Sequence, residues 1–487
     1  MNLDMKVATS QAQCVTRFWS RVSLLCMLLI AALAINTESS FAQDDPMPGE
    51  ALARGPIHEA FANLTPLTPA PGIVVPKAPP EPINEVPPQA KPEGDHVIWI
   101  SGYWAWDDER KDFLWLSGVW RNPPPGTHWV AGYWHPTEGG FQWASGYWSA
   151  DHAAANQGSP VRTGYLPPPP ESLEMGPSSP APSPEYVWVP GTWVWQDRYY
   201  WRPGYWVIAR PNWIWIPDHF VWTPSGFVFA PGYWDYPLAT RGLIYAPMYF
   251  GPGVYGRPGF RFVPSVVINT NMMSFALFGR PAYSHYYFGD YYAGGYVGFG
   301  IYPWYALNRY AYNPIYTHQV WMNRNNVNWS RDMRAHYSER RENPALRPPQ
   351  TFREFHAARD QIAPHNALVH SAAEARDHNG QPMKFQQLDA TRHAEFVNHT
   401  QQARQFGNER QKTESAGANR TPTASSFQHE PAAHHGEVPR SNLAGPNPQK
   451  LGGEHAPPSR PDHPAFEQHF RNGPPALSRP SSPRGKK

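Results

Sequence analysis

Trp99-Ile-Ser-Gly102-Tyr-Trp104, Trp115-Leu-Ser-Gly118-Val-Trp120, Trp129-Val-Ala-Gly132-Tyr-Trp134 and Trp143-Ala-Ser-Gly146-Tyr-Trp148 repeat one pattern, two indoles five residues apart with a glycine between them. The pattern resumes as Trp188-Val-Pro-Gly191-Thr-Trp193 and Trp201-Arg-Pro-Gly204-Tyr-Trp206. It decays to Trp215-Ile-Pro-Asp218-His-Phe220 and returns as Phe229-Ala-Pro-Gly232-Tyr-Trp234. Tyr245-Ala-Pro-Met248-Tyr-Phe250 is a ninth, degraded copy. The central positions are 16, 14 and 14 residues apart in the first array and 13, 14 and 14 in the second. Such a period marks a repeat architecture. It fits one strand of eight to ten residues plus a turn, too short for a helix pair. Trp, Tyr, Val and Ile favour strands, and the intervals, such as Asn122-Pro-Pro-Pro-Gly126 and Thr223-Pro-Ser-Gly226, are turn-formers.

The pattern predicts a mainly β protein with two arrays of short antiparallel strands, residues 96–150 and 186–250, each a four-stranded meander. The 45 residues from Gly146 to Gly191 leave open whether the arrays pack as a sandwich, as a barrel or as separate sheets. In a regular strand the two indoles of a copy point to opposite faces, whereas a bulge at the glycine brings them to one face; the sequence alone allows both.

Composition narrows the function classes. The chain has 487 residues, with 58 Pro and 38 Gly, 14% aromatic and only 16% charged residues. That excludes a helical bundle and argues against a large α/β enzyme. Eighteen of the 22 Trp lie in the arrays, where Leu, Ile and Val are sparse, so rings must supply the core. Burying one indole is worth about 4–6 kcal/mol as an upper bound. A net charge of +2 gives no footprint for nucleic acid.

The flanks read as follows. Residues 1–42 have the form of an export signal: Arg17 and Arg21, an apolar run from Val22 to Ala34, and Ser40-Phe41-Ala42 before a cleavage point. Both cysteines, Cys14 and Cys26, fall inside it, so the cleaved chain is expected to be thiol-free, without a permanent transmembrane helix. Residues 43–95 and 151–185 read as proline-rich, disordered spacers. Residues 251–330 are Gly- and Tyr-rich and are expected to pack on the second array, with a strand within Val263–Asn269 and a buried turn of helix at Met272–Phe278. Residues 331–487 read as a polar, His- and Arg-rich disordered tail. Short helices are expected in it at the capping boxes Thr351-x-x-Glu354 and Ser371-x-x-Glu374 and over Leu388–Phe406.

The Trp-x-x-Gly-Tyr-Trp copies, the linker Gly164-Tyr-Leu-Pro-Pro-Pro-Pro-Glu-Ser-Leu173 and His285-Tyr-Tyr-Phe-Gly-Asp-Tyr-Tyr292 resemble the YXWGXW-repeat proteins of planctomycete-type bacteria over residues 97–330. The resemblance implies an exported envelope protein and brings no activity, ligand or site residues with it. The third copy of the second array departs from the motif at Asp218 and Phe220, which puts that strand's register in doubt.

No G-x-S-x-G elbow, H-E-x-x-H helix or phosphate-cradling loop is present, so no catalytic residues, metal ligands or cofactor are assigned. The acids Asp107-Asp108-Glu109 read as a solvated hairpin turn, since Arg110 and Lys111 follow at once. The expected function is a non-enzymatic structural or interaction protein, located in the periplasm, cell envelope or cell surface, with envelope proteins or glycans as partners. The alternative is a carbohydrate-binding module stacking glycans on one exposed ring per copy: Trp104, Trp120, Trp134, Trp148, Trp193, Trp206 and Trp234. A weaker reading is a glycan-processing enzyme using Asp197, Asp218 or Asp290.

Overall fold

The computed structural model describes residues 48–151, 164–375 and 384–417. The export signal, the cysteines and the histidines beyond residue 417 lie outside the described residues. The protein is mainly β, with many short antiparallel strands in small sheets.

The copies pair two by two. In the first hairpin, Ile98–Ile100 faces Val119–Arg121 and Tyr103–Asp107 faces Asp112–Leu116, so that Trp99 lies opposite Trp120 and Trp104 opposite Trp115. The second hairpin repeats this with Trp129 opposite Trp148 and Trp134 opposite Trp143. In the third, Trp188 meets Trp206 and Trp193 meets Trp201. The fourth joins Trp215 to Trp234 and Phe220 to Phe229. The degraded copy therefore keeps its register. All eight ring pairs are tilted or edge-to-face, with centroids 5.1–5.3 Å apart and planes 58–76° apart. Each such cross-strand pair adds about 0.5–1.5 kcal/mol beyond its burial.

No four-stranded meander forms: each strand breaks at its x-Gly step, so a pair of copies makes a bent two-part ladder. The ninth copy, with the strand before it, extends both parts of the first hairpin, with Leu243 opposite Trp120 and Met248 opposite Trp115. The break also explains why glycine recurs. An added Cβ at Gly118 would sit 2.4 Å from Trp99 Cζ2, at Gly146 2.3 Å from Trp129, at Gly191 2.5 Å from Trp201, and at Gly204 2.3 Å from Trp188. None of these four has a positive φ. At these four positions the first indole of the partner copy lies on the glycine, so the requirement is for space.

The proline-rich segment before the first array is not a spacer. Ile57, Ala60, Phe61 and Leu64 are at most 1% exposed and belong to the main core, together with Trp104, Trp115, Trp143 and Trp148. They add aliphatic side chains to a core dominated by rings, and their flanking prolines had masked them as linker. Residues 251–330 join this same core through Phe278, Tyr286, Phe288 and Trp304. They also meet the second array: Tyr245 bridges to Val267, Ala246 N–H donates to Val266 O (2.9 Å), and His318 Nε2 lies 3.0 Å from Pro211 O. Val266–Ile268 is a strand, paired with Val369–Ser371, and Met273–Ala276 is a turn of 3-10 helix.

Among the described residues four α-helices follow: α1 (Pro314–Met322), α2 (Trp329–Glu342), α3 (Phe352–Ala358) and α4 (Ala390–Gly417). Thr351 and Glu354 form the expected capping box of α3, and Ser371 and Glu374 exchange the same two bonds. The stretch read as a polar tail is therefore folded over much of its first half. Helix α4 docks through polar side chains: buried Arg410 pairs with Glu414 at 3.0 Å, lies over the rings of Tyr133 and Tyr147, and donates to Ala131 O. Tyr133 Oη donates to Glu414 at 2.5 Å. No described helix is long and apolar enough to cross a membrane.

Candidate functional site

The rings proposed as a platform are placed mostly in the interior. Trp104, Trp120, Trp134, Trp148 and Trp234 are at most 8% exposed, and Trp193 and Trp206 are half-buried. Five of their indole N–H groups also serve the chain itself. Trp104 donates to Glu81 O (3.0 Å), Trp134 to Trp104 O (2.8 Å), Trp148 to Ala60 O (3.3 Å), Trp193 to Glu171 O (3.0 Å) and Trp206 to Ser179 Oγ (3.2 Å). A seven-ring stacking surface is thus ruled out as read, because with few aliphatic residues in the arrays the indoles are the hydrophobic core.

What the repeats do assemble is a set of carboxylate sockets, one per hairpin. Glu85 accepts Trp115 Nε1–H (3.0 Å), Gly118 N–H (2.9 Å) and Gly102 N–H (3.1 Å) in the first hairpin. Glu59 accepts Trp143 Nε1–H (2.8 Å) and Gly146 N–H (2.9 Å) in the second. Glu174 accepts Trp188 Nε1–H (3.0 Å) and Gly191 N–H in the third. The Trp-x-x-Gly motif thus provides two convergent donors, one from the ring and one from the backbone freed at the strand break. Charge-assisted bonds of this kind are about twice as strong as neutral ones.

The fourth hairpin explains the degraded copy. Asp218 stands where the other copies have glycine, and its carboxylate takes Gly232 N–H from within the repeat while pairing with Arg202. The partner copy there begins with Phe229 in place of Trp, and the smaller ring leaves room for a side chain. The cost falls on Trp215, whose buried Nε1–H has no acceptor among the described residues.

Sequence reasoning missed these sockets, although a signal existed. Pro80-Glu81-Pro-Ile-Asn-Glu85 and Pro170-Glu171-Ser-Leu-Glu174 share a form. In each, the first Glu offers its carbonyl to an indole and the second its carboxylate to a socket. Both straps are ordered where spacers were expected. Proline holds them extended and removes donors that would otherwise need partners.

A cleft of about 1700 Å³ opens between the first two hairpins and α4. Trp99, Ser101, Trp129, Glu395, His399 and Arg404 are among its walls. Three polar atoms there are buried without partners among the described residues: Trp99 Nε1, Ser101 Oγ and Glu395 Oε2.

Beside the cleft, His58 is fully enclosed. Its Nδ1 accepts Ala60 N–H (3.1 Å), which leaves Nε2–H to face Ser101 O (3.0 Å) and selects the neutral tautomer. Burial pushes the imidazole down to about 4. Because the folded value lies below the ordinary one of about 6.5, the unfolded chain takes up the proton first, and stability falls as pH drops from about 6.5 towards 4. His219 and His318, also lowered by burial, act in the same direction, whereas burial raises Glu85 and opposes them. Between pH 7 and 4 the native chain should lose about 3 kcal/mol more than His58→Gln, measured by urea unfolding. Equal losses would show that His58 is not held neutral.

The acids of the enzyme reading are not brought together as a pair. Asp218 is the internal key, Asp290 accepts from Gln350 Nε2 (3.0 Å), and Asp197 is an exposed residue in the loop of the third hairpin. The acidic trio does form a hairpin turn, but Asp108 pairs with Arg280 and Glu109 with Arg54, so it fastens the turn to the core. No group of three or more His, Cys, Asp or Glu among the described residues is arranged to hold a metal.

The chain matches no family model, no curated protein and no solved structure.

Proposed function

We propose that this chain is a non-catalytic scaffold and interaction protein of the bacterial cell envelope, built from indole-paired hairpins that each capture a carboxylate. The observation that carries the reading is that the hairpins spend their rings and ring N–H groups on binding other segments of the same chain. Such a module joins extended, proline-rich chain without needing disulfides. The form of residues 1–42 and the likeness to YXWGXW-repeat proteins support export. Fractionation of cells expressing the full chain tests the location: recovery in the envelope fraction, with the mature chain starting near Gln43, is expected. Recovery of uncleaved protein in the cytosol would overturn it.

The cleft favours glycan binding as a second reading, because two orphaned donors, one orphaned carboxylate oxygen and the half-buried Trp129 ring are the complement of a sugar's hydroxyls and apolar face. Titration with wall and matrix oligosaccharides, read by indole fluorescence, tests it. Saturable quenching that Trp129→Ala abolishes is expected on this reading. If no glycan changes the emission, the reading falls and the scaffold stands alone.

A further inference from the structure

The four sockets differ in how firmly their keys are held. Glu59 and Glu85 are 1% and 3% exposed and sit in segments that are part of the core. The third socket is different. Its strap lies on the outside of the molecule, with Leu173 56% and Met175 97% exposed, and the hairpin itself leaves Tyr200 and Ile208 at the surface. Side-chain burial therefore contributes little to its hold beyond Leu166, whose backbone pairs with Phe227 of the fourth hairpin. What holds it is a row of aromatic donors. Tyr199 Oη donates to Pro167 O, Trp193 Nε1 to Glu171 O, Trp188 Nε1 and Gly191 N–H to Glu174, and Trp206 Nε1 to Ser179 Oγ.

Ring donors set to meet the carbonyls of an extended proline run are the general device by which grooves recognise polyproline segments. Here a charged anchor is added. We propose that the third hairpin is a peptide-recognition site for proline-rich, glutamate-bearing segments, filled in cis by Pro167–Gly176 and able to take the same segment from a second copy of the chain. The inference rests on the interaction-scaffold reading and names its partner. The ligand fits because the second copy presents the identical row of carbonyls and the identical Glu174 carboxylate. Its cis advantage is one of effective concentration, which a crowded envelope reduces. Exchange of straps would link copies head to tail, with each hairpin receiving the glutamate of its neighbour.

The test uses the full chain and a labelled synthetic peptide spanning residues 164–180. Glu174→Gln in the chain removes the resident anion and loosens the strap. The native peptide should bind this variant at least about tenfold more tightly than it binds the unaltered chain, by fluorescence anisotropy. A peptide carrying Gln at 174 should bind the variant at least about tenfold more weakly than the native peptide. A second measurement needs no alteration of the socket. With a photo-crosslinker on Met175→Cys, mixed copies of two tags should crosslink to each other at the third hairpin, increasingly with concentration. Absence of peptide binding to the variant, equal binding of the two peptides, or crosslinks confined to single copies at all concentrations would each overturn the proposal. None of these results bears on envelope fractionation or glycan quenching, so the scaffold reading survives or fails separately.

Discussion

Replacing Asp235 by Asn should cost about 3–5 kcal/mol, the largest single effect expected in this protein. Asp235 is 2% exposed and lies between two guanidinium groups, Arg121 at 2.6 Å and Arg241 at 3.0 Å, which are 0% and 2% exposed. Arg121 ends the first hairpin and Asp235 the fourth. Both arginines reach into the core segment, Arg121 to Ala60 O (2.8 Å) and Arg241 to Phe61 O (2.7 Å). Burial already pushes Arg241 down from its ordinary value, and the Asp235 carboxylate is the first opposing influence. Without that carboxylate, two buried positive charges face each other with carbonyls and the Trp148 ring as their remaining neighbours. The loss should appear as a lower urea midpoint. Adding Arg121→Met to the Asp235→Asn chain should recover part of it by restoring the original charge of the cluster. A single-variant loss below about 1 kcal/mol, or no recovery in the double variant, would mean that the cluster is not what joins the hairpins.

Gly118→Ala should cost about 3 kcal/mol or more, at the upper end of overpacking effects. The added Cβ meets Trp99 Cζ2 at 2.4 Å and Ile100 O at 2.6 Å. Neither can yield: Trp99 is wedged against Trp120, and Ile100 O belongs to the hairpin's own backbone. Gly256→Ala serves as the comparison, since nothing lies within 4 Å of the new methyl and its φ is not in the left-handed region. That variant should stay within about 0.5 kcal/mol of the native chain. Equal midpoints for the two variants would remove the steric account of the repeat and leave the glycine unexplained.

Both effects show where the sequence was readable. The strand class, the hairpin turns and the two capping boxes were legible because they depend on neighbours a few residues away: a Trp followed three residues later by Gly, a Thr three before a Glu. The partner of each copy was less legible. A 14-residue period fits a meander as well as a hairpin, and only the close approach of an indole to the opposite glycine favours pairing by twos.

By itself, the sequence determined a β protein whose rings are its glue. Residues 51–64 show what it left undetermined. Their aliphatic side chains lie between proline-bearing stretches and carry no periodicity, yet they become core because they fill the gaps between the rings of the arrays. The sockets follow the same logic. Glu85 lies 33 residues from Gly118 and Glu59 lies 87 from Gly146, distances at which no local pattern links an acid to its donors. Which Trp is buried, which glutamate is a key and which strap stays on the surface were decided only by tertiary structure, because burial and charge pairing are properties of closed space and not of spacing along the chain.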